Sequence, residues 1–355
     1  MSADDKPEGA WLTAELTRRF PALARLGPRH YAVGGAIRDL LLGRDPADAD
    51  VACDDPFGAA QSISPRVIRL GDQEHLSAYR VVLQAHVYDF AEILDHDIDA
   101  DLARRDFTMN AMAVDLDQQV FLDPHGGRSD AAAGLVRMVA ASNFDDDPLR
   151  VLKGVRMAVK YGFAIDASTL EAMRARAQKI VLVAAERVTY ELSVIFSSDA
   201  LSRAIGLLHE TGLTEALGLS APQVQADDVS LAGAYALLVD EPRAYASRWR
   251  WSDTLLRDVL SLQQLIEGHG RIALFDAGES VARQLPAVLR ALGREASLDF
   301  PDFAMRALLG GDAIAAMTGR APGPELGRLK RSLLEAQLRG EVTTEEEAER
   351  FVRAG

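Results

Sequence analysis

The sequence predicts an α+β protein in which an N-terminal head, built on a mixed sheet with helices, precedes an all-helical remainder. Three observations carry that prediction. Short segments with period-two alternation crowd roughly the first 140 residues. From Pro148 onward apolar residues recur at helical spacing, as in "PLRVLKGVRMAVKYGF", "SRAIGLLHETG" and "LRDVLSLQQLIEG". No strong strand signal follows residue 165 or so.

Taken in order, "YAVG" (31–34) reads as a short apolar strand and "AIRDLLLG" as a helix ended by Gly43. "DADVAC" alternates acidic and apolar residues and reads as the next strand. "RVIRL", "YRVVLQAHVYDFAEIL" and "MNAMAVDL" are further strand candidates, and "QQVFLD" follows a turn. Trp249 and Trp251 read as core of the helical body, and Cys53 as a buried strand residue.

Composition narrows the class. A chain of 355 residues with 48% hydrophobic content can bury a sizeable core. No apolar run reaches the roughly 18 residues a membrane helix needs, and the first residues, "MSADDKPEGAWLTAEL", hold no apolar signal region. The single cysteine cannot form an internal disulfide. A cytoplasmic protein without membrane contact is the expectation. The net charge of −14 argues against a polyanionic partner, but it is unevenly spread: residues 1–150 carry 15 Lys/Arg against 26 Asp/Glu, and residues 151–200 carry 7 against 5.

Chemistry concentrates between residues 31 and 53. Asp48 and Asp50 sit two apart, so on a strand they share a face. Two carboxylates on one face suit hard Mg²⁺ ions, whose octahedra substrate phosphates and water complete. Taken alone, the same pair also fits a solvated acidic turn. Gly34 and Gly35, between a strand and a helix, would let a phosphate approach backbone N–H groups, and Arg38 lies about one turn further on. Asp147 before Pro148 reads either as a helix cap or, with Arg150 three residues on, as a pair facing one ligand.

The order and spacing of these features resemble the DNA polymerase β-like nucleotidyltransferase superfamily, and within it the bacterial class II CCA-adding tRNA nucleotidyltransferases and poly(A) polymerases. The downstream segments "RRDFTMNAMA" (104–113), "DPHGGRSDAAAGLVRMV" (123–139), "DDPLRVLKGVRMAVKYGF" (146–163), "ERVTYEL" (186–192) and "APGPELGRLKRSLLEAQLRGEVTTEEEAERFV" (321–352) resemble that family's later motifs in order. The resemblance implies a catalytic head at 1–140, a helical neck with a base-selecting motif at 141–200, and a helical body and tail binding tRNA at 201–355. It implies two Mg²⁺ on Asp48 and Asp50, with Asp89 as a third carboxylate. Gly34, Gly35, Arg38, Arg105, Asp106 and Asn110 would contact or support the nucleotide's sugar and phosphates. Asp147 and Arg150 would read the base, and Lys153 and Arg156 would reach the triphosphate. The substrates implied are ATP, CTP and the 3′ end of tRNA; no protein partner is implied. Asp146 and Lys153 depart from the more usual Glu and Arg, the latter losing a planar fork while keeping its charge.

Three alternatives share parts of this pattern. A poly(A) polymerase or a partial enzyme adding only C-C or only A would carry the same head. A small-molecule nucleotidyltransferase would lack the neck and tail motifs. A tRNA-binding protein without catalysis would not need Asp48, Asp50 and Asp89.

Overall fold

The computed structural model describes residues 8–70, 78–295 and 297–355. The chain divides into two compact units, one of Met1–Glu191 with Leu207–Leu217, the other of Leu192–Gly206 with Gly218–Gly355.

The first unit is organised by a sheet of β1 (His30–Val33), β2 (Asp48–Cys53), β3 (Ile68–Leu70), β4 (Ala78–Leu83), β5 (His86–Glu92), β6 (Ala113–Asp115) and β7 (Val120–Leu122). Their order is β3-β4-β5-β2-β1-β6-β7. Only the β2–β5 pairing is parallel, so the sheet is mixed. Alternation along β2 decides its two faces. Ala49, Val51 and Cys53 join a core with Leu12 and Leu16 of α1 (Glu8–Arg19), Ile37 of α2 (Gly35–Leu41) and Ala60 of α3 (Pro56–Ile63). The other face, which carries Asp48 and Asp50, packs Ala52 against Val33, Leu102 and Ala113. One apolar row anchors the strand and thereby aims both carboxylates away from α1, α2 and α3.

Two sequence readings change. "YRVVLQAHVYDFAEIL" is a hairpin, broken at Gln84 and Ala85, which both take positive φ (50° and 69°). "MNAMAVDL" is a strand only from Ala113; Thr108–Asn110 form a 3₁₀ turn instead. Asn110 there bonds Asp106, a local side-chain alternative to strand pairing.

Past the sheet the same unit holds α4 (Ile98–Ala103), α5 (Gly127–Ala132), α6 (Asn143–Asp146), α7 (Leu149–Tyr161), α8 (Ala167–Arg174) and the first part of α9 (Ala185–Phe196), up to Glu191, with a short parallel pair, β8 (Leu135–Val136) and β9 (Ala164–Ile165). Close packing fixes two glycines. A Cβ on Gly154 of α7 would stand 2.8 Å from Met173 Cε and 2.9 Å from Phe107 Cζ, and one on Gly127 would stand 2.1 Å from the Thr108 carbonyl oxygen.

Helices α10 (Leu201–Glu210) and α11 (Leu213–Leu217) come next. The second unit continues through α12 (Leu231–Leu238), α13 (Pro242–Trp249), α14 (Asp253–Glu267), α15 (Arg271–Ala277), α16 (Glu279–Ala282) and α17 (Leu285–Ala291) to α18 (Gly311–Thr318), α19 (Pro324–Leu338) and α20 (Glu345–Ala354). Trp249 and Trp251 are buried beside Tyr235 and Tyr245, so both tryptophans serve the core. A separate core with Ile314, Leu333, Ala348 and Val352 joins α18, α19 and α20. No helix among the described residues is long and apolar enough to cross a membrane.

Candidate active site

The acidic part of the site follows from strand register. Parallel pairing sets Asp50 of β2 beside Asp89 of β5, and antiparallel pairing sets Asp89 opposite Arg80 of β4. Asp48 precedes Asp50 on the same face and is exposed, whereas Asp50 is half-buried. Burial pushes the Asp50 carboxyl up to about 6, and the nearby Asp48 charge adds to the rise, against the pull of Arg105. Asp89 does not stand free: Arg80 Nε and Nη2 donate to its two oxygens, each at 2.7 Å. Among the described residues no three His, Cys, Asp or Glu side chains converge as a metal-binding group.

The chain crosses this face at Gly34, the residue before α2, with φ 72° and ψ −125°. A side chain there would meet the site: its Cβ would lie 3.0 Å from Arg105 Nη1 and 3.8 Å from Asp50 Oδ2. Bare backbone, a guanidinium and a carboxylate therefore converge within a few ångströms. Arg105 is steadied by Asp101, which accepts from Nε at 3.2 Å and Nη2 at 3.0 Å.

Arg38 is turned inward, at 6% exposure. Its Nη1 donates to Asn110 Oδ1 at 2.5 Å, its Nε donates to Asp39 at 3.0 Å, and its guanidinium lies over the Tyr161 ring. Asn110 donates in turn to Asp106, which also accepts from the Phe107 N–H. Tyr161 of α7 donates to Asp39 at 2.7 Å. Arg38, Asp106 and Asn110 thus form one network behind Gly34, with α7 tied into it. The Cβ of a residue at 35 would fall 3.3 Å from Arg38 Nη2, so Gly35 closes down on the same guanidinium.

Asp147 lies where α6 meets α7. Asp147 accepts from Arg187 Nη2 at 2.8 Å and Nη1 at 3.3 Å, and from the Leu149 N–H at 3.3 Å. Burial works against the charged Asp147 carboxylate, but the Arg187 bonds and charge prevail and hold it below the usual carboxylate range. The contact to the Leu149 N–H fits the cap reading of Asp147, while its ion-pair partner is Arg187 rather than Arg150. Arg150 Nη1 donates to the Arg104 carbonyl at 2.6 Å and the Asn143 carbonyl at 3.1 Å. Buried Asn143 donates to the Ala103 and Arg105 carbonyls. Arg156 is bonded to buried Glu191 at 2.6 Å. Lys153 forms no ion pair among the described residues and lies half-exposed.

Sequence reasoning did not single out Arg80, Asn143 or Arg187. Arg187 lies inside the quoted "ERVTYEL", and its partner is 40 residues away. Arg80 could be found only with the β4–β5 register in hand. In the tail, Arg320, Arg331 and Arg339 are engaged with the Gly355 carbonyl, Asp276 and Glu341, while Arg328 and Lys330 form no ion pair among the described residues. Arg320, Arg328, Ser332 and Phe351 are among the residues lining a cavity of about 570 Å³ there.

A mixed sheet bearing Asp48, Asp50 and Asp89, with a glycine entry to α2, is the arrangement of a nucleotidyltransferase head. Residues 30–137 match the family described as "Poly A polymerase head domain", and residues 162–224 match "Probable RNA and SrmB- binding site of polymerase A". The CCA-adding enzyme of Geobacillus stearothermophilus is 32% identical over 338 residues, covering 88% of this chain and 80% of the relative. The CC-adding tRNA nucleotidyltransferase of Synechocystis sp. is 39% identical over 193 residues, 52% of this chain and 46% of that protein, so the match spans less than half of that relative. The fold is also that of the Bacillus stearothermophilus CCA-adding enzyme crystallised with CTP, with a TM-score of 0.75 at 24% identity, covering 98% of both chains. The Thermotoga maritima CCA-adding enzyme complexed with tRNA gives 0.70 at 20%, covering 97% of both. The chain belongs to the CCA-adding tRNA nucleotidyltransferase family.

Proposed function

We propose that the protein adds CMP and AMP from CTP and ATP to the 3′ end of tRNA, releasing pyrophosphate, and that it works in the cytoplasm. One observation carries the reading: the start of α7 and the loop of residues 103–105 are a single hydrogen-bonded body. Arg150 and Asn143 grip the backbone of residues 103–105, and Arg105 on that loop reaches the Gly34–Asp50 opening. A nucleotide held there would have its triphosphate and its base addressed by rigidly related groups, which is the positioning that phosphoryl transfer depends on.

The residues fit Mg²⁺. Asp48 and Asp50 offer hard oxygen donors from one strand face, and the Asp48 charge, second to burial in raising the Asp50 carboxyl, is a repulsion that a cation would relieve. When bound, two Mg²⁺ would activate the attacking 3′-OH and neutralise the departing pyrophosphate. Asp48 and Asp50 would hold them, with Asp89 as the neighbouring carboxylate. The Gly34 N–H is spent on the Met112 carbonyl at 3.0 Å, so Gly34 would give a phosphate close approach to bare backbone and the Gly35 N–H at the start of α2 would be the donor, with Arg105 supplying positive charge at the same opening. We assign Arg38, Asp106 and Asn110 to positioning that opening, because their polar groups are spent on one another.

Asp147, fixed by Arg187, and Arg150 form the base-reading pair. A carboxylate accepts from the exocyclic amine that C and A share, and guanidinium N–H groups donate to ring acceptors. We assign Lys153, a turn along α7, to the triphosphate; Arg156, bonded to Glu191, is held on the same helix. A double Asp48→Ala/Asp50→Ala variant should keep the wild-type circular dichroism spectrum and incorporate no nucleotide. Continued incorporation by the folded variant would remove the metal assignment. Addition of C-C alone is the second reading, favoured by the 39% identity over 193 residues to a CC-adding enzyme.

A further inference from the structure

A cross-strand row of Arg80, Asp89 and Asp50 runs over β4, β5 and β2. Its first two members form a two-bond fork, with both Asp89 oxygens taken at 2.7 Å. Asp89 keeps 19% of its side chain exposed and Arg80 40%, so the pair borders solvent rather than the core. The Arg80 charge is raised in affinity for its proton first by the Asp89 bond and then by the fields of Asp48 and Asp50. The guanidinium is therefore a counter-ion to the whole acidic face. A divalent ion bound to Asp48 and Asp50 would need oxygen ligands on that side and would meet a fixed positive charge.

We propose that Arg80 competes with the divalent metal for Asp89, so that the protein binds metal weakly until a nucleoside triphosphate brings its own negative charge. Arg80 is a positioning residue in this account: it touches no reacting atom and acts through Asp89. The inference rests on the metal-binding reading of Asp48 and Asp50. Asp89 stays with Arg80 while the site is empty, which offsets the repulsion among three carboxylates on one face of the sheet. With a triphosphate in place, the balance of charge shifts toward the metal.

The test measures Mn²⁺ binding to the full chain by titration calorimetry and by the loss of the free Mn²⁺ paramagnetic signal, without nucleotide. Arg80→Gln should bind Mn²⁺ about fivefold more tightly than wild type, the scale expected for a partly exposed ion pair. Asp89→Asn alone should change affinity less than twofold, whereas Asp89→Asn added to Arg80→Gln should erase the gain. A saturating non-reactive CTP analogue should narrow the difference between wild type and Arg80→Gln. Arg80→Lys, which keeps charge but loses the fork, should fall between the two and serves if Arg80→Gln folds poorly. Unchanged or weaker binding by Arg80→Gln, with wild-type binding still lost in Asp50→Asn, would overturn this inference and leave the metal site standing. No Mn²⁺ binding by wild type even with the analogue would overturn both.

Discussion

Substituting Gly34 tests the convergence on which the site is built. The backbone there has φ 72° and ψ −125°, a region that side chains avoid, and holding alanine in it costs about 1–3 kcal/mol. The new Cβ would also stand 3.0 Å from Arg105 Nη1. Arg105 cannot yield freely, because Asp101 holds its Nε and Nη2. In a unit of this size the strain corresponds to a melting point lower by roughly 2–10 °C. The methyl group would further occupy the space 3.8 Å from Asp50 Oδ2, where the triphosphate is proposed to lie. Displacement of the reacting phosphate by about 1 Å is worth on the order of 100-fold in rate. Gly34→Ala should therefore lose about that much in kcat/KM for CMP transfer to a tRNA ending before C-C-A, measured at a temperature where the variant is folded. A folded Gly34→Ala variant with near-wild-type transfer would refute the placement of the triphosphate. An unchanged melting point would refute the strain argument.

Other perturbations follow from the same geometry. Asp50 is an acid whose carboxyl is raised by burial, so its stabilising effect is complete below the unfolded value of roughly 3.9 and is lost as pH rises through about 6. Metal-free Asp50→Asn should accordingly melt higher than wild type at pH 7.5, with the gap closing toward pH 4, while transferring no nucleotide; scanning calorimetry across that range checks it. Arg187→Ala should release Asp147 and lower discrimination of CTP and ATP against GTP and UTP by about tenfold, read from single-nucleotide incorporation, with Arg187→Lys partly restoring it. Gly154→Ala should cost about 1–3 kcal/mol through contact with Met173 and Phe107, seen as a lower urea midpoint.

The parts of the fold that were legible in the sequence were those with local causes. β2 announces itself by alternating Asp48, Asp50 and apolar partners, and α7 by its apolar spacing and by Gly162, which ends it at φ 72°. The β4–β5 turn was hidden because Gln84 and Ala85, not glycine or asparagine, adopt its positive φ. The 3₁₀ turn at Thr108–Asn110 was hidden for a related reason: apolar Met109, Ala111 and Met112 are all buried, so their pattern does not separate strand from turn. In the site, Asp48, Asp50, Gly34 and Arg105 could be named from motif and spacing, since each sits where a strand or a turn dictates its direction. What sequence could not give was who occupies each polar group. Arg38 looks the same on paper whether it faces phosphate or Asn110, and only packing against Tyr161 of α7 turns it inward. Arg80 and Asp89 are nine residues apart, but register alone brings them together.

The account stands most directly on the product made from a tRNA that ends just before C-C-A. With CTP and ATP together, sequencing of the extended 3′ ends should show C-C-A and then arrest; with CTP alone, extension should stop after C-C. A long A tract from ATP alone, addition of only C-C when both nucleotides are present, or no extension by well-folded protein would each contradict it.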